Sequence, residues 1–229
     1  MKSPASSQAP FILLLLASTN TVHSDPNKKS QLETSPDASG WYQLFNGKDL
    51  TGWTPSENKH SCKVENGSIL VHGPRSHLFY TGAVRSATFK DFELRSEILT
   101  TPGSNSGIYF HTKYQERGWP NRGYEAQINN THPDYKKTGS LYAVRDKYQS
   151  PVKDNQWFNC HITVIGRSIQ IQIDGQTVTE YTEPRFLKRP HRQLGEGTVA
   201  LQSHDAKSKV YFRSVKIKPI DPMVIAGMN

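Results

Sequence analysis

From Trp41 onward the chain alternates apolar and polar residues in short runs, cut by turns that contain Gly or Asn. Residues two apart on a strand share a face, so this period of two marks half-buried β-strands. SIQIQID (168–174) is the clearest run, with Ile169, Ile171 and Ile173 opposed to Gln170, Gln172 and Asp174. The same reading predicts strands at WYQLF, CKVE, SILVH, LFYT, FELRSEIL, SGIYFHT, YEAQIN, SLYAV, FNCHITVIG, TVTEY, TVALQSH and KVYFRSVKIK. Between them ENGS, IGRS and DGQT match hairpin turns in which Gly or Asn takes positive φ. No amphipathic helix of three turns can be written. Many short strands with regular turn signals predict an all-β chain, an antiparallel sandwich or barrel.

Three strands carry polar pairs on the parity opposite their apolar residues. In SGIYFHT, Ile108 and Phe110 oppose Tyr109 and His111. In YEAQIN, Ala126 and Ile128 oppose Glu125, Gln127 and Asn129. In TVALQSH, Val199 and Leu201 oppose Gln202 and His204. If these strands share a sheet, one face gathers phenol, imidazole, carboxylate and amide, the inventory of a site for a polyhydroxylated ligand. Two long loops, 113–123 and 129–139, follow these strands and are rich in Trp, Tyr, Arg, Asn and His. Loops held on a rigid sheet are where binding groups concentrate.

The ends and the composition add less. Residues 1–24 hold Lys2, the apolar run FILLLLA, no acid, and Val22-His23-Ser24 as a cleavage site. That is the pattern of a secretory signal peptide, too short to span a bilayer, and it predicts a secreted or periplasmic protein without an integral membrane anchor. Its removal takes only Lys2 from a formal charge of +8. The remaining bases are scattered among acids, which argues against nucleic acid as a partner. Residues 25–39 read as a flexible linker, 40–220 as the folded domain and 221–229 as a tail. Cys62 and Cys160 are the only cysteines. In an oxidising compartment they could pair, but sequence supplies no distance between them.

LFNGKDLTGW, NSGIYF, GYEAQI, TGSLY and ALQSHD occur in that order. Together they resemble the 3-keto-disaccharide hydrolase domain family of 3-keto-glucoside lyases and 3-keto-2-hydroxy-glucal hydratases, over residues 41–219. The resemblance implies a jelly-roll sandwich of the concanavalin A-like lectin/glucanase superfamily, with a ligand groove on its concave sheet. It also implies an oxidised 3-keto glycoside or disaccharide as substrate, supplied by an upstream sugar 3-dehydrogenase.

A ketone at C3 acidifies the C2 proton of a sugar, and loss of that proton lets the C1 substituent depart. Such a site needs a base, a stabiliser of the enolate oxygen and an acid for the leaving oxygen. Glu125, His111 and His204 are the candidates for proton transfer, with Glu125 or His111 as base and His204 as acid or water-handler. Arg145 or Lys113 could stabilise the enolate, as could a divalent metal ion held by His111, Glu125 and His204; no cofactor is otherwise implied. Tyr109, Gln127, Asn129, Gln202 and Glu97 are candidate substrate-binding residues. Trp119, Tyr114 and Tyr142 offer stacking faces for a pyranose, whereas Trp53 and Trp157 are expected in the core. His161 is expected as a solvated strand residue, and HGPRSH (72–77) and KRPHR (188–192) as loop charge. The rival reading is a non-catalytic carbohydrate-binding module on the same fold. A retaining glucanase ranks last, because the E-x-D-x-x-E strand signature that such glucanases resemble is missing.

Overall fold

A computed structural model describes residues 1, 35–186, 189 and 191–221. Apart from residue 1, the leader (1–24) lies outside them, as do most of the linker and tail. In chain order the strands are β1 (Tyr42–Gln43), β2 (Trp53–Pro55), β3 (Cys62–Glu65), β4 (Ser68–His72), β5 (Ser76–Tyr80), β6 (Phe92–Thr100) and β7 (Asn105–Thr112). There follow β8 (Tyr124–Asn129), β9 (Phe158–Ile165), β10 (Ser168–Ile173), β11 (Gln176–Thr182), β12 (Thr198–Ser203) and β13 (Lys209–Pro219). No helix among the described residues is long and apolar enough to cross a membrane.

All pairing is antiparallel, in two sheets. The larger runs β11-β10-β9-β6-β13-β4-β3, with β1 beside β13, and the smaller runs β2-β5-β12-β7-β8. One apolar cluster lies between them: Ile98, Phe158 and Ile171 from the larger sheet meet Leu78, Ile108 and Leu201 from the smaller. The expected two-sheet sandwich is therefore the architecture. The hairpin at IGRS joins β9 to β10 in unbroken register, Ser168 opposite Ile165 through Ile173 opposite Cys160.

Two sequence expectations fail for local reasons. SLYAV is not a strand. Leu141 makes only isolated bridges, to Ala126 and Arg145. The chain then turns at Ala143 (φ 58°), whose amide is held by the Asp146 carboxylate at 2.8 Å. The second failure is in β7. Its register against β12 slips between Thr198 and Ala200, which face Thr112 and Tyr109. The extra residue is a bulge, and His111 within it has φ 55°. Gly123, on the neighbouring segment at φ 77°, has room for no Cβ, which would run into the Phe110 carbonyl and the His111 backbone.

Cys62 and Cys160 are both unpaired and buried. They belong to β3 and β9, four strand spacings apart in one sheet, or about 19 Å at the usual separation. That is far beyond disulfide reach, so the pairing considered from sequence is excluded. Burial pushes both thiols up to about 12.

Candidate functional site

The outer face of the smaller sheet is built in two lateral rows. Cross-strand register aligns Phe79, Ala200, Tyr109 and Glu125 from β5, β12, β7 and β8. In the next row His77 faces Gln202, and Gly107 faces Gln127. Phe79, Tyr109 and Ala200 form a small apolar cluster separate from the core. They floor a wall on which the polar side chains are almost as buried as the core: Glu125 is 3 % exposed, Gln127 1 % and Gln202 2 %.

Gly107 creates the space for the carboxylate, since a Cβ there would lie 2.5 Å from Glu125 Oε1. Gln202 donates from Nε2 to Glu125 Oε1 at 2.9 Å and to the Tyr109 hydroxyl at 3.2 Å. Gln127 donates from Nε2 to Asn105 Oδ1 at 3.0 Å. These bonds leave the side-chain oxygens of Gln127 and Gln202 buried without a partner. Buried amide oxygens cost free energy unless something donates to them, and both glutamines line the cavity that the loops enclose. Burial raises the pKa of Glu125, with Arg192 acting in opposition. Burial, and then the Glu125 charge, hold the Tyr109 phenol well above its ordinary range.

Loops complete the enclosure. Residues 113–121 fold on themselves through Gln115, whose amide donates to the carbonyls of Arg117 and Trp119. The Gly118 amide is tied to Glu57, itself ion-paired with Arg75 at 2.7 Å. Trp119 is thereby laid over His77 and His204, at ring separations of 5.5 and 5.4 Å, with the Arg75 guanidinium on its face at 5.1 Å. From the loop after β11, Arg192 reaches to 3.7 Å from Glu125 Oε2 and stands 5.4 Å from the Tyr142 ring. The result is a cavity of about 260 Å³ on which Tyr109, Trp119, Glu125, Gln127, Tyr142, Gln202 and His204 converge, with Asn105, Asp134 and Arg192.

Six expected site residues lie elsewhere, among them Tyr114, which lines a different depression together with Lys113. His111 is turned away by the bulge. Its Nε2 donates to the Lys90 carbonyl at 2.7 Å and its Nδ1 accepts from the Gly195 amide at 3.2 Å, while burial lowers its pKa. Both nitrogens are thus spent on backbone, and it shares no face with Tyr109. Asn129 is fully buried and organises the following loop, donating to the carbonyls of Asp134 and Lys136. Lys113 is exposed beside a different depression. Arg145 is exposed, its guanidinium 5.6 Å from the Tyr181 ring. Glu97 is on the other sheet, ion-paired with Arg213 at 2.7 Å. Arg213 also covers Trp157, which is 37 % exposed rather than in the core, whereas Trp53 is buried as expected. His161 bonds Glu93 at 2.9 Å instead of standing free in solvent.

Reading by strand period misses Asn105, Asp134, Arg192 and His77. Asn105 has the parity of Tyr109 and was legible. The two segments expected as loop charge supply Arg75, His77 and Arg192. Burial, and then the Arg75 charge, push His77 down to about 3, and neither of its ring nitrogens has a partner.

With His111 elsewhere, the metal set of His111, Glu125 and His204 is not assembled. Another trio comes closer: His132, His204 and Asp205 bring ligand-type atoms within 4.8 Å of one another. Two histidines and a carboxylate suit a transition metal, but these atoms are committed to protons. His132 Nδ1 accepts from the Asp134 amide at 3.0 Å, so its neutral ring carries hydrogen on Nε2, the nitrogen that faces Asp205 at 3.7 Å. Asp205 Oδ2 already receives His204 Nδ1 at 2.7 Å and the Ser208 hydroxyl at 2.9 Å. As bonded here the trio does not fit a cation.

The model of the 3-keto-alpha-glucoside-1,2-lyase-like domain matches residues 40–218. The chain belongs to that family. Membership carries the coarse assignment of a carbohydrate-active, glycosyl hydrolase-like enzyme. Two provisionally assigned glycosyl hydrolases from Parabacteroides distasonis ATCC 8503 have the same fold at 23 % identity. One has a TM-score of 0.68, covering 80 % of this chain and 95 % of its own. The other has a TM-score of 0.61, covering 79 % and 99 %. The lumenal domain of VIP36, solved with Ca2+ and Man3GlcNAc, shares the sandwich at 9 % identity and a TM-score of 0.53, over 75 % of this chain and 86 % of that one. No curated protein matches the chain.

Proposed function

We propose that this protein cleaves 3-keto-glycosides by elimination, with hydration of the product giving net hydrolysis. The observation that carries the reading is one wall holding a desolvated carboxylate among buried acceptors without donors. Gln127 and Gln202 line the cavity, and a small rotation of their amides lets the unpaired oxygens accept hydroxyls of the bound sugar, while Trp119 offers a face to its C–H side. Glu125, whose pKa burial raises, is the base that takes the C2 proton. The electron pair passes to C3–O as an enolate, and the Arg192 guanidinium near Glu125 opposes the charge that develops. The pair then returns, C1=C2 forms and the C1–O bond breaks, and the leaving oxygen takes a proton from His204. Addition of water across C1=C2 regenerates the 3-keto sugar, with His204 as the group that handles water. Arg192 replaces Lys113 and Arg145 in this scheme, and His111 has no part in it.

Such a substrate must be made by oxidation at C3, so a sugar 3-dehydrogenase acts before this enzyme. The leader-like residues 1–24 support work outside the cytoplasm. Supplying a 3-keto-glucoside to the purified protein tests the reading: turnover is expected, and no turnover of any keto-sugar removes the activity. Unchanged turnover in both Glu125→Gln and His204→Ala would remove the site. A binding module is the second reading, favoured by the partly exposed Trp119 face (44 %) at the cavity's edge. Calorimetry with unoxidised oligosaccharides separates the two, because tight binding without product belongs to the module.

A further inference from the structure

His204 is followed directly by Asp205, and the two side chains bond to each other, His204 Nδ1 to Asp205 Oδ2 at 2.7 Å. The carboxylate is held from every side. Oδ2 also accepts from the Ser208 hydroxyl at 2.9 Å, and Oδ1 accepts from the amides of Lys207 at 2.8 Å and Ser208 at 3.0 Å. Burial works against its charge, but the bonds from His204, Lys207 and Ser208 prevail and hold the carboxyl at about 2. Asp205 is an anion, with acceptors only, at any pH near neutrality.

An anion at Nδ1 decides which nitrogen of a neutral imidazole carries hydrogen. The His204 ring stands between Trp119 and His132, each 5.4 Å away between centroids. His132 is fixed in the opposite sense, because its Nδ1 accepts from the Asp134 amide and contacts the Asn105 amide nitrogen at 3.3 Å. Of the four ring nitrogens in this pair, His204 Nε2 alone is left with a lone pair and no protein hydrogen bond, on a ring that lines the cavity.

We infer that Asp205 is the positioning residue of the site, pinning hydrogen on Nδ1 of His204 so that Nε2 faces the ligand as an acceptor of protons. This rests on the proposed role of His204. In the hydration step Nε2 takes a proton from the attacking water as its oxygen bonds to C1. That proton is the one Nε2 gives to the leaving oxygen in the elimination step of the next turnover, the first turnover drawing it from solvent. Asp205 touches no reacting atom and neutralises the imidazolium between the two events.

The tautomer can be read without a variant. In 15N-labelled wild type, long-range 1H–15N spectra recorded where the rings are neutral are expected to give His204 a protonated Nδ1 and an unprotonated Nε2, and His132 the reverse. Asp205→Asn keeps an oxygen for the Lys207 and Ser208 amides but can place NH2 opposite His204, so hydrogen moves to Nε2. We expect that reversal in the spectrum and a fall in kcat of about 10²-fold or more on a 3-keto-glucoside, with KM changed less than threefold. Hydrogen on Nε2 of His204 with Nδ1 bare in the wild type overturns the inference. So does Asp205→Asn with wild-type kcat, or a divalent ion (Mn2+ or Zn2+) that shifts both imidazoles at one equivalent and raises turnover. If the wild type turns over no keto-sugar, the proposed reaction fails, while the spectrum still tests the tautomer.

Discussion

The two sheets treat their outer polar residues in opposite ways. On the larger sheet Glu93, Arg95, Glu97, His161 and Arg213 stand on neighbouring strands and satisfy one another: Glu93 with Arg95 and His161, Glu97 with Arg213. Each group stays partly wet, and each of these charges has a partner on the same face. On the smaller sheet the loops bury the outer face as thoroughly as the inner one, and every residue of β7, β8 and β12 is buried. There the side chains are dry, one carboxylate is desolvated, and two amide oxygens and an imidazole lack partners. Similar residue types thus make a solvated lattice on one sheet and a binding wall on the other. The difference lies in what covers them, and a tolerated deficit of hydrogen bonds separates a site from a surface.

The strongest way to break this contrast is to neutralise matching groups on both faces. Glu125→Gln and His204→Ala are expected to cut turnover of a 3-keto-glucoside by about 10³-fold, while Glu93→Gln and Glu97→Gln leave it within twofold; steady-state kinetics on the four variants decides. Next comes the floor beneath the carboxylate. Gly107→Ala puts a methyl 2.5 Å from Glu125 Oε1 and must push the acid aside, with an expected loss of about 10²-fold in kcat. Circular dichroism should return the wild-type spectrum.

Smaller effects are expected in stability. The folded protein refuses a proton on His77 until about pH 3, whereas the unfolded chain accepts one near 6.5. Its contribution is therefore complete above the unfolded value and is lost as pH falls toward the folded one. At pH 4 the loss is about 3 kcal/mol by linkage. Urea titrations at pH 7 and 4 should find that His77→Phe removes most of this acid sensitivity. At the weak end, Glu97→Gln breaks a half-wet ion pair and should cost under about 1 kcal/mol in the same titration.

How much of this was legible depended on whether a side chain's direction follows from strand period. Ile169, Ile171 and Ile173 point inward as alternation requires, and Tyr109, Glu125, Gln127 and Gln202 meet on one wall for the same reason. His111 obeys the count and still faces elsewhere, because one inserted residue reverses the parity of everything after it in β7. Tyr142 reaches the cavity from a turn where a strand was expected. Asp134, Arg192, His132 and Asp205 stand on loops, where no period exists and position is set by hydrogen bonds with distant residues. For Asp205 a cue was present in its adjacency to His204, a spacing that strand parity treats as opposite faces.

The unpaired thiols of β3 and β9 carry a separate implication for how the molecule can be made. No cross-link holds the sandwich together, and its two sulfurs are too remote to form one by accident. The domain needs neither an oxidant to mature nor a reductant to stay intact. Its melting temperature should be the same with and without dithiothreitol, and a reducing bacterial host should yield material identical to that folded outside the cell.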